Sequence, residues 1–134
     1  MIGILIISHE NLGNSLVQCA THVIGEKLQQ VRYLSVFAHD DPDVVIVNAR
    51  ELVRQIDIGD GVLVLSDIYG ATPCNIACQL IEPGKIECLV GVNLPMLIRA
   101  LTYRRELLSV MVEKALSGGM SGIFHVRLEP SDAV

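Results

Sequence analysis

The sequence predicts an α/β fold: a three-layer, mostly parallel open sheet with helices on both faces. Two observations carry this expectation. Short apolar runs rich in Ile, Val and Leu recur along the chain, and each is followed by a segment with apolar residues at helical spacing. Strands that alternate with helices in this way pair in parallel and bury both faces of the sheet. A third observation bounds the architecture. The chain has 134 residues and shows no linker, repeat or low-complexity stretch, so one domain accounts for it.

The elements follow in order. Ile2–Ile7 reads as the first strand. Leu12, Leu16, Val17, Ala20, Val23 and Ile24 recur at helical spacing, and Gly25 stops that helix. Val31–Phe37 is the second strand. Asp41-Pro42 opens a helix whose apolar stripe is Val45, Ile46, Ala49, Leu52, Val53 and Ile56. After the turn Gly59-Asp60-Gly61 comes a third strand, Val62–Leu65. Thr72-Pro73 starts the next helix, with Thr72 as N-cap, and Glu82-Pro83-Gly84 ends it. Ile86–Val90 is the fourth strand, and Asn93-Leu94-Pro95 opens a helix through Leu101. A further helix covers roughly Glu106 to Leu116, where Gly118-Gly119 breaks the chain. Ile123–Leu128 reads as a last strand. The domain is expected to occupy 1–128, with a loose polar tail over 129–134.

Composition narrows the function. Hydrophobic residues make up 51% of the chain and mean hydropathy is +0.48, which excludes a disordered chain. No apolar run approaches the ~20 residues needed to cross a bilayer. The N-terminus lacks the basic segment of a signal peptide. Direct membrane insertion is therefore not expected, and a cytoplasmic location is. Net charge is −5, and the densest cationic cluster is Arg99, Arg104 and Arg105. Nucleic-acid binding needs a stronger basic footprint.

The cysteines, Cys19, Cys74, Cys78 and Cys88, contain no C-x-x-C pair and no neighbouring histidines that would complete a zinc set. They are expected to be small buried hydrophobes. His39 lies among Asp40, Asp41 and Asp43, but acidic residues ahead of a helix suit its dipole without any metal. His22 and His125 are weaker candidates. The phosphate-binding P-loop, the dinucleotide fingerprint and the serine-hydrolase elbow are all absent.

Three segments carry the chemistry. In open α/β sheets, ligands collect at the carboxyl ends of the strands. His9 stands just beyond the first strand, in the segment S-H-E-N-L-G. Asp67 stands in the equivalent place after the third. A carboxylate that holds one ring nitrogen of a histidine leaves the other free to attack or accept a group. The segment D-I-Y-G-A-T-P-C-N, Asp67 to Asn75, places Gly70, Ala71 and Thr72 at a helix start, where free amides bind phosphate. Taken alone, the segment is better read as an ordinary βα loop with a capping Thr. His9 and Asp67 meet only if the first and third strands are neighbours at a switch point of the sheet. The third segment, G-V-N-L-P-M-L, supplies Asn93 as a cap and Pro95 for a first turn. It places Met96 and Leu97 either at an apolar rim suited to a protein partner or in the core.

Together these segments resemble the mannose-family enzyme IIA of the bacterial phosphoenolpyruvate:sugar phosphotransferase system. The resemblance runs from about Met1 to Leu128. Ser8-His9-Glu10 is similar to the family's S/T-H-G, Asp67–Asn75 to its D-x-x-G-G-S-P-x-N, and Gly91–Met96 to its G-V-N-x-P-M. The resemblance implies that His9 takes a phosphoryl group from phospho-HPr and passes it to an enzyme IIB domain. Asp67 would then fix the imidazole tautomer, and Gly70, Ala71 and Thr72 would hold the phosphoryl oxygens. It implies Asn93, Pro95 and Met96 at a partner surface, no metal or nucleotide cofactor, and a homodimer in which the strand near Ile123–Leu128 joins the partner's sheet.

The chain departs from the family at three places. Glu10 stands for a Gly and adds negative charge near the incoming group; Ala71 stands for a Gly and Thr72 for a Ser. Two other roles fit the same motifs: a regulatory protein whose His9 phosphorylation state is itself the output, and the phosphotransfer subunit of a dihydroxyacetone kinase. Cysteine redox chemistry would instead require a reactive Cys74 or Cys78 with a depressed pKa.

Overall fold

A computed structural model describes residues 1–129. It contains four strands and five helices: β1 (Gly3–His9), α1 (Leu12–Ile24), β2 (Val31–Val36), α2 (Pro42–Ile56), β3 (Val62–Ser66), α3 (Thr72–Gln79), β4 (Ile86–Val90), α4 (Leu94–Thr102) and α5 (Leu108–Ser121). The strands form one parallel sheet in the order β2-β1-β3-β4.

The alternation of side chains along each strand divides the core in two. Ile4, Ile6, Leu63 and Leu65 face α1, α4 and α5, where they pack with Leu97, Ala100, Met111 and Ala115. Leu5, Ile7, Val62 and Val64 face α2 and α3, against Val45, Ala49, Val53, Ile76 and Ala77. Each fully buried Ile or Leu contributes roughly 1.5–3 kcal/mol relative to exposure. That two-sided burial explains why the strands read as continuous apolar runs rather than alternating ones.

Local signals set the helix ends. Gly25 ends α1 in the left-handed region at φ +87°. Asp41 caps α2 by accepting from the Asp43 N–H, and Asn93 caps α4 by accepting from the Met96 N–H at 2.9 Å. The acid-rich loop before α2 is thereby explained in part by capping, since Asp40 also accepts from the Phe37 N–H.

Three expectations are corrected. Gly118 and Gly119 do not break the chain; α5 runs through them to Ser121. They are the places where α5 lies against α4. A Cβ at Gly118 would stand 2.6 Å from the Cβ of Arg99, and one at Gly119 would stand 2.9 Å from the Met96 Cε. Packing thus overrides the weak helix preference of glycine. Thr72 is the first residue of α3 rather than its cap; Ala71 precedes the helix with extended backbone and offers no side-chain cap. Finally, Ile123–Leu128 forms no strand. Within one chain this segment meets no sheet edge, and Ile123, Phe124, Val126 and Leu128 are exposed. Of the expected tail, residues 130–134 lie outside the described residues.

Candidate functional site

The sheet order creates a switch point. From β1 the chain passes through α1 to β2 on one side, while β3 and β4 lie on the other. The last paired residues of β1 and β3 are Ile7 and Ser66. His9 and Asp67 therefore leave adjacent strands at the carboxyl edge of the sheet, as a site at a switch point requires.

Their geometry is specific. Asp67 Oδ2 accepts from the His9 backbone N–H at 2.9 Å and is 2.8 Å from His9 Nδ1. Asp67 Oδ1 accepts from the Ile68 N–H at 2.9 Å. Burial by itself would raise the Asp67 pKa. The His9 N–H, the His9 ring, the Ile68 N–H and the charge of His9 outweigh it and hold the carboxyl below its ordinary value. An ionised carboxylate only accepts hydrogen bonds, so Nδ1 carries the ring proton. In the neutral ring Nε2 then bears the lone pair. The Asp67 side chain is 11% exposed and that of His9 is 49% exposed, so the holder is sheltered and the ring faces out.

The loop after β1 is held from below. Ser8 Oγ accepts from the Gly13 N–H at 2.8 Å, and the Glu10 N–H donates to the Val36 carbonyl at 3.0 Å. Glu10 itself sits at φ +48°, in the left-handed region that favours glycine. A crevice of about 490 Å³ opens beside the ring, lined by His9, Glu10, Val36, Phe37, Ala38, Asp40, Thr72 and Pro73.

The structure thus brings His9, Asp67 and Thr72 together. Thr72 and Pro73 open α3 at the crevice wall, with the amides of its first turn at that end of the helix. Gly70, at φ +85°, turns the chain into α3 and has open space around its missing Cβ. Its conformation, rather than its small size, is what the turn uses. Ala71 lies at φ −103°, a region open to any residue, so the alanine there carries no strain.

Other expected site residues lie apart. Met96 is 3% exposed and Leu97 fully buried, both in the core rather than at a rim. Both ends of the Asn93 amide are engaged, one by the Met96 N–H and the other by donation to the Gly119 carbonyl at 3.1 Å. Pro95 is exposed, but on a separate groove with Val23, Leu94 and Ile98. The cysteines divide. Cys74 is buried, Cys88 half-buried, and Cys19 and Cys78 exposed, against the expectation that all four are core residues. Burial pushes the Cys88 thiol up to about 12, and burial with Cys74 nearby also raises Cys78. This is the opposite of a reactive thiolate.

From the sequence, Phe37 reads only as the end of the second strand and Asp40 only as part of the acidic loop around His39, and neither is assigned to this crevice. The signal for them was the β1–α1–β2 unit. A right-handed crossover sets β2 beside β1, and the pairing of His9 with Val36 delivers the following loop to the site.

Comparison with known proteins bears on the family and the fold. Residues 3–116 match the model of the EIIA-man family, described as PTS system fructose IIA component. The chain is 26% identical over 132 residues to the PTS system mannose-specific EIIAB component of Escherichia coli K12, covering 96% of this chain. It spans only 41% of that relative's length. It is 28% identical over 108 residues to the PTS system fructose-specific EIIA component of Bacillus subtilis, covering 80% of this chain and 73% of the relative. Among solved structures, the phosphotransferase system component EIIA from Streptococcus agalactiae superposes with a TM-score of 0.83 at 28% identity, covering 93% of this chain and 97% of that one. A mannose/sorbose-specific IIA subunit from Enterococcus faecalis shares the fold with a TM-score of 0.84 at 21% identity, over 96% of both chains. With its central parallel sheet and a family match across all of its strands, the chain belongs to the EIIA-man family, the fructose IIA component family of the phosphotransferase system.

Proposed function

We propose that this chain is a phosphohistidine carrier of the sugar phosphotransferase system, with His9 as the phosphoryl acceptor. The observation that supports this reading most directly is the division of the His9 ring: Nδ1 is held by Asp67, which leaves Nε2 as the free nitrogen of a half-exposed ring that lines the crevice. The Nε2 lone pair attacks the phosphorus of the donor phosphohistidine. A new N–P bond forms as the donor's N–P bond breaks, and that electron pair returns to the donor nitrogen. The His9 ring, still protonated at Nδ1, gains positive charge, which the Asp67 carboxylate offsets. Thr72 and the first amides of α3 stand where phosphoryl oxygens would lie, with Gly70 and Ala71 shaping the turn that presents them. The same steps in reverse hand the group to the next carrier.

The donor in this reading is HPr and the acceptor an enzyme IIB domain, which places the chain in the cytoplasm. Among the described residues, no helix is long and apolar enough to cross a membrane. The relatives named above carry sugar-phosphotransferase descriptions, which supports this reading over a dihydroxyacetone kinase subunit. A homodimer belongs to the proposal as well. Phe124, Val126 and Leu128 put apolar side chains at every second position of an exposed, unpaired segment, a pattern suited to a strand completed by a second copy.

The test is incubation with phosphoenolpyruvate, enzyme I and HPr, read by intact mass and by acid lability of the modification. One phosphoryl group is expected on the wild type and none on His9→Ala. Label that persists in His9→Ala would remove the assignment.

A further inference from the structure

The left-handed backbone position next to the acceptor ring holds a glutamate. Glu10 lines the same crevice as His9 and Thr72, and it occupies φ +48°, where a glycine would sit without strain. The other charged residue on that wall is Asp40, one of whose oxygens accepts from the Phe37 N–H. Among the described residues no Lys or Arg lines the crevice. Among the described residues the ion pairs are Met1–Asp60, His9–Asp67 and Arg54–Glu51, so Glu10 has no cationic partner. A phosphoryl group on His9 would carry roughly −1.5 to −2 charge at neutral pH and would face this carboxylate across the crevice mouth.

We propose that Glu10 sets the transfer potential of this carrier: its charge raises the free energy of phospho-His9 and makes the chain a stronger phosphoryl donor and a poorer acceptor. This rests on the carrier reading given above. Asp67 cannot play the same part, because it lies on the other side of the ring and neutralises charge there. Glu10 does not touch the reacting atoms through any bond in this structure. It acts on the product of the transfer through its field.

The size of the effect follows from Coulomb's law. For a unit and a double charge ~6 Å apart in water, taken as a typical spacing of neighbouring side chains, the repulsion shifts an exchange equilibrium about tenfold at low salt. At physiological ionic strength, where the Debye length is ~8 Å, the shift falls to about threefold. The effect therefore belongs to charge, not to side-chain volume or backbone conformation, and the two can be separated.

The experiment measures the equilibrium of phosphoryl exchange between phospho-HPr and the intact chain by mass spectrometry. Wild type, Glu10→Gln and Glu10→Gly are compared at low and at physiological salt. Glu10→Gln keeps the shape and the left-handed backbone but removes the charge. Both variants are expected to favour phospho-His9 about tenfold more than the wild type at low salt and less so at higher salt. Label on His9 with equal equilibria in wild type and Glu10→Gln would overturn this role and leave the carrier reading intact. A shift in Glu10→Gly alone would assign the effect to backbone strain and also overturn it. No label in any of the three, with phospho-HPr shown to be competent on another acceptor, would remove the carrier reading and this role with it.

Discussion

Replacing Asp67 by Asn keeps the shape of the residue and removes what the site needs from it. Asp67 accepts three hydrogen bonds: two at Oδ2, from the backbone and ring of His9, and one at Oδ1, from the Ile68 N–H. An amide has one accepting oxygen and one donating NH2. Placed with oxygen toward His9, it points its NH2 at the Ile68 N–H; flipped, it points the NH2 at both His9 donors. Either way two donors meet, and the ring loses its counter-charge at the moment it becomes cationic. A hydrogen bond to a charged group contributes about 1.5–3 kcal/mol. Because the His9 ring is 49% exposed, water replaces part of that, and the low end applies. About 1.5 kcal/mol corresponds to a rate roughly tenfold slower. The assay is the initial rate of His9 phosphorylation from phospho-HPr by rapid quench, alongside thermal unfolding of the same preparation. A wild-type rate in a folded Asp67→Asn protein would refute the claim that the carboxylate organises the ring.

Acidification offers an independent check on the same group. Because the folded-state pKa of Asp67 is below its ordinary value of 3.8, the carboxylate contributes stability above that value and loses it as pH falls through the folded pKa. The stability difference between wild type and Asp67→Asn should shrink as pH falls below 3.8, as urea unfolding would show. Thr72→Val removes the hydroxyl but no helix cap, so transfer should slow several-fold with little change in melting temperature. A stability loss near the ~1 kcal/mol of a lost cap would show that Thr72 is structural after all. Gly118→Ala would set a Cβ 2.6 Å from the Cβ of Arg99. It should destabilise by roughly 1–3 kcal/mol despite the better helix former, measurable by chemical denaturation; an unchanged midpoint would mean that α5 shifts freely along α4.

Regular elements were legible wherever periodicity and end signals agreed. β4 runs from Ile86 to Val90 and α1 from Leu12 to Ile24, as read from the chain, because each is bounded by turn or capping residues that admit no continuation. Where local and tertiary forces conflict, the reading failed. Gly118-Gly119 looks like a break in isolation, yet the pair is what lets α5 approach Arg99 and Met96 on α4. Ile123–Leu128 has the pattern of a strand, but a strand is defined by a partner, and the described residues of one chain supply none. The site divides in the same manner. His9, Asp67 and Thr72 stand at strand ends and a helix start, which pattern alone locates. The contact between His9 and Asp67 is a property of strand order, and no local signal encodes that order. Met96 was misplaced because a methionine two residues after a helix-opening position fits a rim and a core equally; only the packing of α4 against the sheet decides.

The Asp67 carboxylate joins two tasks that are usually separate. The β1–β3 ladder ends at Ile7 and Ser66. Beyond it, the bond from the His9 N–H to Asp67 Oδ2 continues the link between the two strands through a side chain. The same oxygen then holds the ring. The imidazole is therefore positioned relative to the sheet by one rigid acceptor rather than by a mobile loop, which favours the fixed geometry that phosphoryl transfer depends on. The arrangement also makes the two residues unequal under mutation. In His9→Ala the backbone N–H at position 9 remains and still donates to Asp67, so the strand ends stay joined and the protein should melt close to the wild type while accepting no phosphoryl group. In Asp67→Ala both the strand link and the ring holder go. A His9→Ala protein that melts well below Asp67→Ala would mean that the imidazole, not the carboxylate, holds the edge of the sheet together.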